Sequence, residues 1–413
     1  MNKILIILAI LFSALFLKNQ DNSIIQSEII DIERGMQKLT RLKVSDFGKT
    51  VRYVPLETTD KVLVGRNPVA KVLKNYIVVE DAQKSCLLFD KQNGRFVASI
   101  GHTGQDPQAF SDVFSWTDEK EEFLYFKRLP DQLIKYDMSG RFCGKIEFPS
   151  GLPSYFLFTD TEIIGYYNEI FQANLPALGI FDKDGILKDT VPSFIRRIKT
   201  KEDGVNSIGR INVFKGGGFS GNQANSGFIS IDFKDGISQI YAAYSARLWK
   251  NNDNIRFKEN FIDTIYTLSA GKLIPTFVFN AGKYHWPLKD INSKEKTNER
   301  IFIEYLYENN KSIFFQFIRG VFSDDKVLYN GLYNKQTGEI KISRQRDAIE
   351  DDLTHFLPFN PSGMGASGEF VSLVEAWEVM DWLEKHPRAF RNESFSFLKK
   401  FDADMNPIVI LVE

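Results

Sequence analysis

From about residue 46 onward the apolar positions fall in short runs broken by charged, Gly, Asn or Asp residues. Val51–Leu56, Tyr76–Val79, Phe123–Phe126, Ile163–Tyr167, Phe228–Asp232, Ile301–Tyr307 and Ser312–Ile318 are rich in β-branched and aromatic residues. Such side chains fit a pleated, half-buried surface, so each run predicts a strand. One stretch departs from this pattern. Val371–Glu384 carries apolar residues near helical spacing, follows the Gly-rich Pro361–Gly368 and is stopped by Pro387. It predicts a helix inside an insertion spanning about 368–387.

The runs are punctuated by a repeated turn. Leu88-Phe-Asp90-Lys-Gln-Asn-Gly94-Arg-Phe-Val97 reads as a strand end, an acid, a tight Gly turn and a second strand. The pattern recurs around Asp137 with Gly140 and around Asp182 with Gly185. Weaker copies follow around Thr267 with Gly271 and Asn334 with Gly338, and Asp402 with Asn406-Pro407 closes the chain. Glycine supplies the positive φ of a tight turn and Asp or Asn bonds back onto its backbone, so each copy predicts a β-hairpin. Successive spacings of 47, 45, 85, 67 and 68 residues suit four-stranded units with variable loops. Hairpins recurring at this interval without intervening helices predict an all-β six-bladed β-propeller over 46–413, with the helix inserted in the last blade. The long 85-residue interval leaves room for one extra unit, which would make seven blades.

A propeller needs its first and last sheets joined to avoid free edges. Val51–Leu56 contains Pro55, which suits an edge. The terminal run Ile408–Val412 suits a strand covered on both sides. Both are expected in one closing blade, with Val51–Leu56 outermost.

The amino terminus has a different pattern. Met1–Lys3 is followed by the apolar Ile4–Leu17 and then Lys18. A 14-residue run spans about 21 Å as a helix, short of a roughly 30 Å bilayer core, and has the layout of a secretory signal peptide. No small-x-small pair marks a cleavage site and no cysteine follows to take a lipid, so residues 1–18 are a signal peptide or a retained membrane anchor. Residues 19–45 are polar and predict a tether and cap. On this reading, deleting 1–30 removes only leader and tether.

Composition narrows the function. Lys plus Arg number 52 against 53 acids, a net charge of −1, which gives no basic surface for nucleic acid. The two cysteines, Cys86 and Cys143, cannot build a disulfide framework and are expected as buried thiols or one unforced pair. Aromatic residues make up 14% of the chain; they could stack on sugars, but stacked sheets also need aromatic cores.

Gly94–Phe110 contains Ile100-Gly101, Gly104, Pro107 and Phe110, and resembles the strand-and-loop segment of NHL-like repeats. It is similar still more closely to a family of secreted bacterial six-bladed β-propellers, often lipoproteins. Val54-Pro-Leu-Glu-Thr-Thr59 resembles the same family. So do Asp263–Tyr266 with Pro275, Phe277, Gly282, Lys283 and Pro287, and Asn406-Pro407. Asp106, Gln108 and Ala109 depart from its loop, and the lipid-attachment cysteine is missing. The resemblance implies a fold and an exported location. It carries no general catalytic set.

Candidate chemistry is sparse. Asp182-Lys-Asp-Gly185 imitates the start of a calcium loop, but Ser193 stands where a twelfth-position glutamate is required, so it reads as a turn. Gly216–Gly221 lacks the Gly-Lys-Ser/Thr ending of a phosphate loop and reads as a surface loop. Glu119, Glu121 and Glu122 around Lys120 read as a solvated charge run, and Asp351-Asp352 is the other acidic pair. His102 is expected in solvent and His386 at the helix end, whereas His285 and His355 are open to channel or face positions. No catalytic, cofactor or metal residues are assigned, and no cofactor.

The expectation is an exported, non-catalytic binding or scaffolding propeller of the periplasm or cell envelope, offering its face or channel to an unidentified protein or small-molecule partner, glycans included. Two alternatives stay open: a lactonase-like or lyase-like propeller enzyme with a metal or polar channel site, and a membrane-anchored envelope sensor.

Overall fold

A computed structural model describes residues 27–81, 85–168, 175–195, 199–212, 227–243, 247–293, 297–391 and 393–413. The chain is predominantly β and is divided into small antiparallel sheets. Six of these, numbered in the chain order of their two central strands, are built on four antiparallel strands each. The first comprises Val69–Val72, Tyr76–Glu80, Cys86–Asp90 and Phe96–Ser99, and the second Ser115–Thr117, Phe123–Arg128, Gln132–Asp137 and Phe142–Glu147. The third comprises Tyr155–Phe158, Ile163–Tyr166, Pro176–Phe181 and Leu187–Pro192. The fourth is Arg247–Asn251, Asn254–Lys258, Thr264–Ser269 and Lys272–Asn280, and the fifth Ile301–Glu308, Ser312–Arg319, Val327–Asn334 and Ile340–Arg344. The sixth joins Gly363–Met364, Phe370–Val374 and Ile408–Val412 to Val51–Pro55 from the other end of the chain.

The aromatic and β-branched residues that specify these strands are buried between sheets. Val78 and Leu88 of the first sheet pack on Phe126 and Ile134 of the second. Leu133 and Trp116 of the second meet Phe156 and Ile163 of the third. Ile164 and Leu178 of the third meet Leu248 and Phe257 of the fourth. Ile265 and Phe277 then face Ile303 and Phe315 of the fifth, whose Phe314 and Leu332 face Phe370 and Ile410 of the sixth. Val371 and Val409 return to Ile77 and Phe89 of the first. Burying each such side chain contributes about 1.5–3 kcal/mol, so these interfaces hold the sheets together.

The closing sheet has the expected composition. Val51–Pro55 lies at its edge, pairing antiparallel with Ile408–Val412 from Val51 opposite Val412 to Pro55 opposite Ile408. Asn406 clasps the two chain ends. Its amide nitrogen donates to the carbonyls of Glu57 (2.6 Å) and Val62 (2.9 Å), and its amide oxygen accepts from the Val64 N–H (2.8 Å).

Several expectations require correction. Residues 28–37 are not a tether: Glu28–Asp31 pairs parallel with Phe277–Asn280 as a fifth strand on the fourth sheet, and Ile32–Gln37 is helical. Ile30 and Ile32 are fully buried there, which outweighs the polarity of the flanking residues. Lys38–Phe47 then runs along the fifth sheet, where the Thr40 N–H donates to the Ile342 carbonyl, and buries Leu42, Val44 and Phe47. The inserted helix covers Ala376–Lys385 only. Val371–Val374, read as the start of the helix, belongs instead to the fully buried strand Phe370–Val374, because the sixth sheet needs it between Gly363–Met364 and Ile408–Val412. Glu375 caps the helix start, its N–H donating to the Glu378 carboxylate.

The 85-residue interval holds a separate three-stranded sheet, Val205–Asn212, Gly227–Phe233 and Ser238–Ala243. It does not intervene between the third and fourth sheets, whose first strands touch directly. Phe228 and Ile240 instead pack on Phe261, Trp286 and Phe302. Five of the six repeated turns are hairpins as expected, and each connects a third to a fourth strand. The sixth, at Asp402, follows the short helix Glu393–Lys400 and leads into Ile408–Val412, so it is no hairpin.

Candidate functional site

Antiparallel meander fixes which connections share an end of each sheet. Turns from first to second and from third to fourth strands lie at one end, where they span only two to five residues. Connections from second to third strands, and from one sheet to the next, lie at the other end. These include 100–114, 193–246, 281–300, 345–362 and 375–407. All the long insertions, the separate sheet and the Ala376–Lys385 helix therefore gather on one side. Leu63, Leu129, Phe194, Ile208, Ile237, Leu288, Leu353 and Trp377 lie in these connections and are eight of the twelve exposed large apolar side chains among the described residues.

The turn side is tied shut by polar contacts between sheets. Lys91 of the first sheet pairs with Glu369 of the sixth at 2.5 Å, both nearly buried. The Glu121 carboxylate accepts from the Lys74 N–H at 2.7 Å, joining second to first. Asn309 donates to the Gly368 carbonyl (3.0 Å), joining fifth to sixth. Glu308, whose side chain is fully buried, accepts from Trp249 Nε1 (2.8 Å) and Lys335 Nζ (2.6 Å), with Arg256 Nε 3.4 Å away. Lys250 pairs with Glu119, joining the fourth sheet to the second, which are not neighbours in the succession of cores. Glu119 and Glu121 are thus structural contacts rather than a solvated run, and burial pushes the Glu121 carboxyl up.

The histidines occupy four different loop-side connections. His102 is half exposed and its Nε2 lies 2.7 Å from Asp106. His285 is also half exposed, with Nδ1 2.6 Å from Asp263. His355 is exposed in a left-handed conformation (φ 60°). His386 caps the helix, with Nδ1 2.9 Å from the Trp382 carbonyl oxygen and the ring stacked on that indole. Among the described residues, no three His, Cys, Asp or Glu side chains are placed to hold a metal ion. Asp182 accepts from the Asp184 and Ile186 N–H groups, as a turn residue should. Asp351 accepts from the Leu353, Thr354 and Phe356 N–H groups, and Asp352 from Ser45. Cys86 is buried, which pushes its thiol up, whereas Cys143 is exposed; both are free thiols and form no pair. Gly216–Gly221 lies outside the described residues.

A pocket of about 390 Å³ opens on the loop side, lined by Thr103, Gly104, Gln105, Phe110, Ser111, Arg128 and Leu129. It lies in the Ile100–Phe110 segment singled out in the sequence. Phe110 is buried and stacks on Phe126 with ring centroids 4.4 Å apart. Arg128, which sequence reading missed, donates from Nη1 to the Asp106 and Ala109 carbonyls and from Nη2 to the Gln105 carbonyl. No spacing rule links it to this loop; only the pairing of Phe123–Arg128 with Gln132–Asp137 delivers it there.

Residues 27–413 match a family described as a domain of unknown function, DUF4934. The chain belongs to that family. No curated protein matches this DUF4934 chain. Among solved structures it is similar to a "putative exported protein" from Bacteroides fragilis NCTC 9343. The two are 14% identical with a TM-score of 0.63, over 94% of this chain and 99% of that one, which shows a shared fold. The WD40 repeats of RRP9 align over 91% of this chain and 99% of that one. At 7% identity and a TM-score of 0.38, that match is too low to carry an argument.

Proposed function

We propose that this DUF4934 chain is a six-bladed β-propeller, exported from the cytoplasm, that works as a non-catalytic binding module and engages its partner on the loop side. Six four-stranded sheets joined in succession by six apolar cores support the architecture. The apolar Ile4–Leu17 run, the resemblance to secreted propellers and the fold shared with the "putative exported protein" of Bacteroides fragilis support export.

The observation that carries the binding role is the asymmetry between the two sides. Short turns cross-linked by ion pairs make one side rigid. The other carries every long insertion and exposes Leu288, Leu353 and Trp377. Loops that vary on a fixed scaffold are where recognition concentrates, and exposed apolar groups gathered on one side mark interaction surfaces.

The test is site-specific photo-crosslinking in the native host, with the reactive group at Trp377, Leu288 or Leu353, and at Gln92 or Ser139 on the turn side. Discrete adducts from the loop-side positions alone are expected. Adducts confined to the turn side would overturn the docking surface, and recovery of full-length protein only in the cytosol would overturn export.

A further inference from the structure

The pocket beside Arg128 has the chemistry of an anion site. An arginine side chain carries five N–H donors in a planar fork. Arg128 commits three of them to backbone carbonyls: two on Nη1, to Asp106 and Ala109 (2.8 Å), and one on Nη2, to Gln105 (3.3 Å). These neutral acceptors fix the guanidinium without cancelling its charge. Among the described residues it has no carboxylate within ion-pair distance, and Nε–H and the second Nη2–H are uncommitted. The acid of the loop, Asp106, has both oxygens engaged within it: one lies 2.7 Å from His102 Nε2 and the other accepts from the Gln108 N–H. A hydroxyl on each side, Thr103 and Ser111, completes a polar lining, with Leu129 two-thirds exposed at the mouth.

From this geometry we infer that the pocket binds a small ligand bearing a carboxylate or sulfate, its oxyanion on the free edge of Arg128 and its body between the 103–105 loop and Leu129. A side-on guanidinium edge matches two oxygens of such a group, and charge-assisted forks of this type are the stronger hydrogen bonds. The volume suits a ligand of about monosaccharide size. The site stands on the pocket alone and is independent of macromolecular docking on the same side.

The test is titration of the purified protein with glucuronate, N-acetylglucosamine 6-sulfate and neutral glucose, followed by NMR shifts of labelled protein. Saturable shifts around Gly104 and Arg128 are expected with one or both acids and not with glucose; which acid binds separates a carboxylate ligand from a sulfate one. Leu129→Trp, at an exposed position that spares the loop staple, is expected to abolish binding. Arg128→Lys keeps the charge but loses the fork, and is expected to weaken binding about tenfold. Should Arg128→Lys lower the melting temperature, Leu129→Trp alone decides. Failure of both acids to saturate, equal binding of glucose, or binding unchanged in Leu129→Trp would each overturn the site.

Discussion

A Cβ placed on Gly94 would lie 2.0 Å from the carbonyl oxygen of Pro55. Gly94 turns the outer hairpin of the first sheet, and Pro55 ends the outermost strand of the sixth. The same contact recurs between Gly185 and the Glu147 carbonyl at 2.1 Å. Strand-to-strand twist of about 20–25° accumulates across four strands, swinging each outer hairpin over the end of its neighbour's last strand. The repeated glycine therefore answers two demands: a left-handed turn, φ 73° at Gly94, and room for the neighbouring backbone.

These demands separate by substitution. Gly338 occupies the same turn in the fifth sheet with φ 68°, but its nearest atom to an added Cβ is 3.9 Å away. Gly338→Ala meets only the left-handed strain and is expected to cost about 1–2 kcal/mol in urea denaturation. Gly94→Ala adds a backbone collision, for about 1–3 kcal/mol more. Equal costs would refute the packing role.

Legibility in the sequence follows this physics. The repeated glycine turns, most opened by Asp or Asn, and the edge position of Pro55 are local requirements, so residues alone disclose them. Glu28–Asp31 carries only two apolar residues and becomes a strand because Lys272–Asn280 presents a free edge, which is a tertiary fact. Phe370–Val374 merges with the helical spacing that follows, and only its partners on both sides separate them. The pocket was half legible. Ile100–Phe110 stood out as a loop, whereas Arg128 acts on carbonyls, and backbone acceptors leave no trace in a side-chain pattern.

The amino-terminal segment yields a truncation series. Removing residues 1–26, which hold the leader-like run Ile4–Leu17, is expected to leave the urea midpoint unchanged. Removing 1–37 strips the strand at Glu28–Asp31 and the fully buried Ile30 and Ile32. At about 1.5–3 kcal/mol per buried isoleucine, the loss is about 3–6 kcal/mol. Identical midpoints for the two truncations would show that the segment is a tether after all.

Acid should loosen the turns. The Ser139 hydroxyl holds the Asp137 carboxyl down at about 2, helped by the Arg141 and Ser139 N–H groups and the Arg141 guanidinium. The Lys188 ammonium lowers Asp182 in the equivalent turn. A carboxyl depressed on folding contributes stability above its unfolded pKa of about 3.9, and that contribution disappears as pH falls through the folded value. The stability gap between wild type and Asp137→Asn is thus expected to be constant above about pH 5 and to shrink between about pH 4 and 2. A gap independent of pH would sink this assignment.

Glu308 offers the sharpest test of the turn-side closure. Its carboxylate is fully buried, accepts from Trp249 and Lys335, and faces Arg256 as well, so one acid balances two cations. Glu308→Gln keeps the shape but leaves both cations buried without a counter-charge. Removing one partner of a buried pair costs about 3–5 kcal/mol, because the remaining charge keeps its desolvation penalty. Lys335→Met leaves Glu308 still balanced by Arg256, and its slightly shorter apolar side chain can stay near the Phe277 ring, where the Lys335 ammonium lies 5.5 Å from the centroid. The order expected in urea denaturation is therefore a large loss for Glu308→Gln and a smaller one for Lys335→Met. The double variant should cost less than the sum of the two, since removing Lys335 relieves half of the charge stranded by Glu308→Gln. Strictly additive losses would mean that the three groups do not share one field, and that apolar cores alone join the fourth and fifth sheets.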